Sequence, residues 1–230
     1  MKEKILEMLQ LQNELNNDTN GHDWRRDITK NGKVINWKRC IYMESAELIE
    51  SFPWKHWKNI EGKIDIDNIK IELVDIWHFL MSYLLKFHNP IELTNMIANI
   101  SSIKSDIKIP KKWSKEENHK IDQFLDIFEE LMALALIKTD DVIYQEALLE
   151  QFFKACDSVG LEFKDLYRLY IGKNVLNQFR QDHGYKEGTY KKVWNDKEDN
   201  AIIQEILEKE DEINFDTLYK KLEEIYSSLS

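Results

Sequence analysis

Glycine and proline are scarce, 7 and 3 in a chain of 230 residues, and that shortage excludes the turn-rich β architectures. It also leaves no glycine cradle for phosphate, because Gly172-Lys173 lacks the upstream glycine of a P-loop. Any phosphate held by this chain must be held by lysine, arginine and metal. Cysteine is nearly absent too. Cys40 and Cys156 form no CxxC motif and are too few for a disulfide framework, so a reducing cytoplasm is the expected compartment. No apolar run reaches the roughly 18 residues of a membrane span. Met1-Lys2-Glu3-Lys4 opens an amphipathic pattern with no sign of a signal peptide. A formal charge of −10 argues against nucleic acid as a partner.

What is present is helical periodicity. Ile5, Leu9 and Leu15 recur at helical spacing until Thr19-Asn20-Gly21 stops the pattern. The stretch 21–34 is polar, with a turn at Asn31-Gly32. A second helix is expected over 37–52, ended by Pro53. A third starts from an Asp67 or Asn68 cap and runs to about residue 87, where Asn89-Pro90 breaks it. Further helices are expected over 91–103, 118–137, 141–159 (closed by Gly160), 165–180, 201–209 and 215–229. The expectation is one all-α domain over 1–230: a helical bundle with a four-helix metal-binding core plus additional helices. Residues 104–117 are expected as a weakly ordered loop, and 181–200 as a flexible phosphate-binding segment.

Two acidic pairs stand out against this background: Glu44-x-x-Glu47 and Glu72-x-x-Asp75. Each lies inside an apolar run, from Ile41 to Ile49 and from Ile71 to Trp77. Residues three apart share a helix face, and like charges there cost a helix roughly 0.2–0.5 kcal/mol per pair. Desolvating them costs far more unless a cation is present. One such pair is ordinarily a solvated face. Two pairs at matching separation (44 to 72 and 47 to 75) allow a helix, a turn and an antiparallel partner, so four carboxylates can converge. An all-oxygen set selects a hard divalent cation such as Mg²⁺.

Other candidates gather around that cluster. His78, one turn beyond Asp75, is either a satisfied core histidine or a hydrogen-bond donor to a ligand beside the metal. Gln12 and Asn16 share a face and carry the donor–acceptor pairs that suit a nucleobase edge; Asn13 with Asn16 or Asn17 offers an equally spaced alternative. Trp54-Lys55-His56-Trp57-Lys58 either packs, or covers a base with Trp57 and touches phosphate with Lys58. Lys173, Asn177 and Arg180 fall at i, i+4 and i+7, giving one face two cations and an amide. Tyr185, Lys186 and Lys191 follow on a polar segment. In an acidic protein, such a basic face beside four carboxylates suggests a triphosphate bridged between Mg²⁺ and Lys/Arg.

These residues resemble a family: the dimeric, all-α dUTPases of the MazG-like nucleoside triphosphate pyrophosphatase superfamily. The resemblance rests on the two acidic pairs, on Trp54-Lys55-x-Trp57-Lys58 and on Asp75-x-x-His78. Its most specific part is the block from Gly172 to Gln181 followed by Gly184 to Lys191. The resemblance implies that Glu44, Glu47, Glu72 and Asp75 bind Mg²⁺, and that Gln12, Asn16, Trp57, His78 and Asn177 surround uracil and deoxyribose. It places Lys173, Arg180, Lys186 and Lys191 on phosphates, with Tyr185 nearby. The implied reaction is Mg²⁺-dependent hydrolysis of dUTP, and of dUDP, to dUMP by water attacking the β-phosphorus, with Glu44 orienting or deprotonating that water. The implied partner is a second copy of the chain. Two other readings stay open: a related pyrophosphatase acting on dCTP or a modified nucleotide, and an acidic helical module that docks a basic partner.

Overall fold

The computed structural model describes residues 1–58, 63–110, 119–210 and 213–229. The expected helix start at Asn118 lies outside them, as does the 104–117 loop from residue 111 onward. Among the described residues the chain forms α1 (Lys2–Asn20), α2 (Trp37–Ile49), α3 (Ile66–Leu84), α4 (Pro90–Ile100) and α5 (Ile121–Leu136). Then come α6 (Val142–Ser158), α7 (Phe163–Asp182), α8 (Asp199–Lys209) and α9 (Phe215–Ser227). A 3₁₀ turn (His22–Arg26) and a hairpin of β1 (Val193–Trp194) with β2 (Lys197–Glu198) complete the set. The fold is all-α, as expected, and no described helix is long and apolar enough to cross a membrane.

Side-chain caps set several of these boundaries. Asn36, Asn89, Asp141 and Asn214 each accept a bond from the first turn of the helix that follows, satisfying donors that a helix start leaves orphaned. Pro90 opens α4, where its missing N–H costs nothing. The α3 helix starts earlier than the sequence suggested. Its cap is Asp65, which accepts the Asn68 backbone N–H at 3.0 Å.

α3 packs against α1, α2, α6 and α7. Its Ile69, Leu73, Ile76, Trp77 and Leu80 are sealed from solvent, and Trp77 stacks on Phe152 with ring centroids 5.0 Å apart. Each such burial is worth about 1.5–3 kcal/mol, against roughly 0.2–0.5 for the Glu72/Asp75 repulsion on the same helix. The stripe wins, and the carboxylates are carried with it. At the start of α3 the Asp65 N–H donates to the Ser51 carbonyl (3.0 Å). The connection therefore folds α2 back on α3 and brings Glu44 opposite Glu72 and Asp75.

Two local features were not visible in the pattern. Within the polar stretch 21–34, the 3₁₀ turn places Trp24 fully inside the core. Within 181–200, Asn195 and Asp196 take positive φ (49° and 67°), the two-residue turn that matches the strand twist of a hairpin. That hairpin buries Trp194 completely.

The turn after α7 depends on Gly184. Its φ is +83°, and a Cβ there would meet Thr189 Oγ1. The Gly184 carbonyl also accepts from the Thr189 N–H (3.0 Å). Gly184→Ala is expected to cost about 1–2 kcal/mol, a fall in melting temperature of about 2–8 °C for a chain of this size. An unchanged thermal melt would show that the turn relaxes without strain.

Candidate active site

Glu44 on α2 and Glu72 and Asp75 on α3 each offer a carboxylate oxygen, and the three oxygens lie within 4.8 Å of one another. Glu47, one turn along from Glu44, is exposed and lines the same cavity of about 580 Å³. Burial first, then the charges of Asp75, Glu47 and Glu72, push the Glu44 carboxyl up to about 8. Burial, then Asp75 and Glu47, also raise Glu72, and Lys173 works against that rise. Such a cluster keeps a proton unless a cation replaces it. Three close carboxylates form a donor set able to hold a hard divalent ion.

Cations from α7 stand over this cavity. Lys173 Nζ donates to Asp75 Oδ2 at 2.9 Å and to Asn200 Oδ1 at 3.3 Å. Arg180 grips the buried Asp199 through two bonds, Nε to Oδ2 (2.8 Å) and Nη2 to Oδ1 (2.7 Å). Burial opposes the arginine charge, yet Asp199 holds its pKa above the usual value. Both cations line the acidic cavity, and with them Lys192, Asn68 and Asn200.

A second cavity, about 480 Å³, shares Asp75 and Arg180 with the first. Gln12, Asn16, His78, Asn177 and Tyr185 all line it, together with Phe79. Behind its wall lies a buried polar network. Gln12 Nε2 donates to Ser82 Oγ (3.0 Å), Asn16 Nδ2 donates to the same oxygen (3.0 Å), and Ser82 donates to the His78 carbonyl (2.8 Å). These bonds turn Gln12 Oε1 toward His78 Nδ1 at 2.7 Å, so Nδ1 carries the proton and donates it. Burial, with Lys173 adding, pushes the imidazole down to about 3, which keeps the ring neutral. Nε2 is then a buried lone pair with no partner. Of the two roles the sequence left open for His78, a satisfied core histidine and a donor to a ligand, the buried ring bonded to Gln12 fits the first, and its remaining nitrogen can only accept.

The expected residues are not all gathered. Trp57 and Lys58 are exposed and line neither cavity; Trp57 packs edge-on against Trp54 instead. Lys186 donates to the Thr19 carbonyl at the end of α1. Lys191 points to the Leu229 carbonyl (3.5 Å), while its neighbour Lys192 is exposed and lines the acidic cavity. Tyr185 lies beneath the Arg180 guanidinium, 5.7 Å from ring centroid to Cζ. Asn177 Oδ1 accepts from Arg180 Nη1 at 3.4 Å. Residues absent from the sequence reading are Ser82, Asp199, Asn200 and Tyr170, whose ring packs on His78 and whose hydroxyl donates to Gln12 Oε1 (3.2 Å). Ser82 had a signal, standing seven positions after Asp75 on the same helix; Asp199 had none in a tail rich in acids.

Residues 4–185 match a family model described as dUTPase. That span holds both acidic pairs and the Lys173–Arg180 face, and it ends before the hairpin. No curated protein matches the chain.

Proposed function

The chain belongs to the dUTPase family and so is a dUTP diphosphatase, and from that premise we propose how it works: as a Mg²⁺-dependent enzyme releasing pyrophosphate from dUTP and also accepting dUDP. The observation that carries this reading is the pair of adjoining cavities. One is lined by amides, an imidazole and aromatic rings, the other by carboxylates and cations, and they meet at Asp75 and Arg180. A volume near 480 Å³ falls within the range of small-molecule sites.

Glu44, Glu72 and Asp75 would hold the cation, with Glu47 at the edge of the set. When bound, Mg²⁺ supplies Lewis acidity toward the phosphoryl oxygens and the attacking water. Glu44, the carboxyl most raised, orients that water and accepts its proton at a carboxylate oxygen. Lys173 and Arg180 offset charge on the phosphates, and Lys192 joins them from the hairpin side. Asn16 and Gln12, held by Ser82, present a rigid amide wall to the nucleoside. The His78 Nε2 lone pair accepts from an N–H of uracil or a sugar hydroxyl. Cytosine has no N–H at the ring nitrogen of its pairing edge, so an acceptor at that point favours uracil.

Turnover of dUTP, dTTP, UTP and dCTP with Mg²⁺ and with chelator tests this directly. The expected order puts dUTP first, and chelator abolishes all turnover; dCTP outrunning dUTP would overturn the base assignment. In ¹⁸O-water, attack at the β-phosphorus places label in pyrophosphate and none in dUMP. Label in dUMP would move the attack to the α-phosphorus.

The raised Glu44 carboxyl also sets a pH dependence. Its pKa is about 8 in the fold against an ordinary 4.5, so the protonated form favours the folded chain. In metal-free protein that stabilising term is complete below 4.5 and is lost as pH rises through about 8. Mg²⁺ must displace the same proton. The rise in melting temperature on adding Mg²⁺ is therefore expected to be larger at pH 8.5 than at pH 6.5, and an equal rise at both would remove Glu44 from the cation site.

The working unit in this reading is a homodimer. Leu136, Ile137, Val142 and Ile143, at the facing ends of α5 and α6, are exposed apolar side chains of the kind an interface covers. An active monomer in sedimentation at assay concentration would end this part of the proposal.

A further inference from the structure

We propose that Asp199, which lies past the family match, is a positioning residue that fixes the Arg180 guanidinium for the triphosphate. The carboxylate is fully buried at the first position of α8. Each of its oxygens already accepts two bonds. Oδ1 takes Arg180 Nη2 (2.7 Å) and the Asn200 N–H (2.8 Å), and Oδ2 takes Arg180 Nε (2.8 Å) and the Tyr190 hydroxyl (2.8 Å). A carboxylate has about four acceptor sites, so Asp199 has none left for a metal, a water or a substrate. Whatever it does for the reaction, it does through the groups it holds, and Arg180 supplies two of the four bonds.

Its grip leaves Arg180 one free direction. Nε and Nη2 are both turned to Asp199, whereas Nη1 makes only the 3.4 Å contact with Asn177. The guanidinium lines both cavities, so Nη1 is the nitrogen available at the junction between nucleoside and phosphate. Asn200, the next residue, links the second cation: its Oδ1 accepts from Lys173 Nζ at 3.3 Å and from Arg180 Nη2 at 3.4 Å. Adjacent residues at the start of α8 thus set the placement of both cations that came from α7. A buried ion pair is a poor way merely to staple one helix to another, because a packed apolar pair does as well or better. Holding a charged donor rigid where negative charge must be met is what such a pair does better.

This inference rests on the dUTP reading and is tested with the full chain. Asp199→Asn keeps the shape and removes the charge. The expected result is an affinity for a non-hydrolysable dUTP analogue, and a KM for dUTP, weakened about 10- to 100-fold, with deoxyuridine binding unchanged within about two-fold. In an Arg180→Gln background the same substitution should add less than about two-fold. A folded Asp199→Asn chain with unchanged analogue affinity overturns the proposal, and so does equal weakening of deoxyuridine. If Asp199→Asn fails to fold, Tyr190→Phe decides, since it keeps the ion pair and removes one of the bonds that fix the Asp199 carboxylate. It should weaken the analogue about three-fold or more, and no change would overturn the proposal. A wild-type chain that neither binds the analogue nor turns over dUTP would refute the parent reading as well, an outcome distinct from variants that match an active wild type.

Discussion

Glu44→Gln is expected to lower kcat for dUTP about 10³-fold while leaving the melting temperature at or above that of the wild type. Both halves come from the same geometry. Glu44 shares its burial with two other carboxylates whose oxygens lie within 4.8 Å, and their charges help to push its own pKa up to about 8. A neutral amide of the same shape stands in for the protonated carboxyl below about pH 8, removes one of the mutually repelling charges above it, and keeps a ligand oxygen throughout. What it cannot do is accept a proton from water. A variant that lost activity by unfolding would lose stability too, so the opposite signs separate chemistry from fold. The metal-free variant should also lose the stability decline that the wild type shows as pH rises through about 8. Turnover above about a tenth of wild type would take Glu44 out of the proton-accepting role.

The sequence made three of the four expected carboxylates of the acidic cluster legible, Glu47 standing exposed at its edge, because the spacing is redundant. Two i, i+3 pairs in apolar runs, separated by a helix–turn–helix length, leave few ways to pack other than face to face. The Lys173–Asn177–Arg180 face was legible for the same reason, being periodic within one helix. What the sequence could not show depended on register between distant elements. Lys191 and Lys192 are equivalent in composition, and only the hairpin decides which one lines the acidic cavity. Its turn at Asn195-Asp196 was the available signal, since these residues tolerate positive φ. The donor–acceptor sense of His78 was hidden for a similar reason. Its tautomer is set by Gln12 on α1, and Gln12 is turned by Ser82, so the donor–acceptor sense exists only once α1 docks on α3. Trp57 and Lys58 followed a local motif, yet their loop leaves them outside both cavities.

Lys173→Ala is expected to reduce kcat/KM for dUTP about 100-fold even at saturating Mg²⁺. Two roles compete for this residue, and they predict different results. Its Nζ is bonded to Asp75 Oδ2 at 2.9 Å with both side chains mostly buried, so it already offsets the charge of a candidate metal ligand. If that were its whole purpose, Mg²⁺ would take over the task and the variant would recover full turnover once loaded. If it instead meets the triphosphate, the cation cannot substitute for it, because the substrate brings more negative charge than the carboxylates alone. Removing the ammonium also leaves Asp75 and Glu72 less compensated. Metal-free protein should lose about 1–3 kcal/mol of stability, while Mg²⁺, titrated above pH 8 where Glu44 is ionised, should bind more tightly than to wild type. Tighter metal binding with lost turnover assigns Lys173 to the phosphates. Turnover restored by Mg²⁺ alone would reduce it to a neutraliser of the acidic cluster, and the phosphate role would then rest on Arg180 and Lys192.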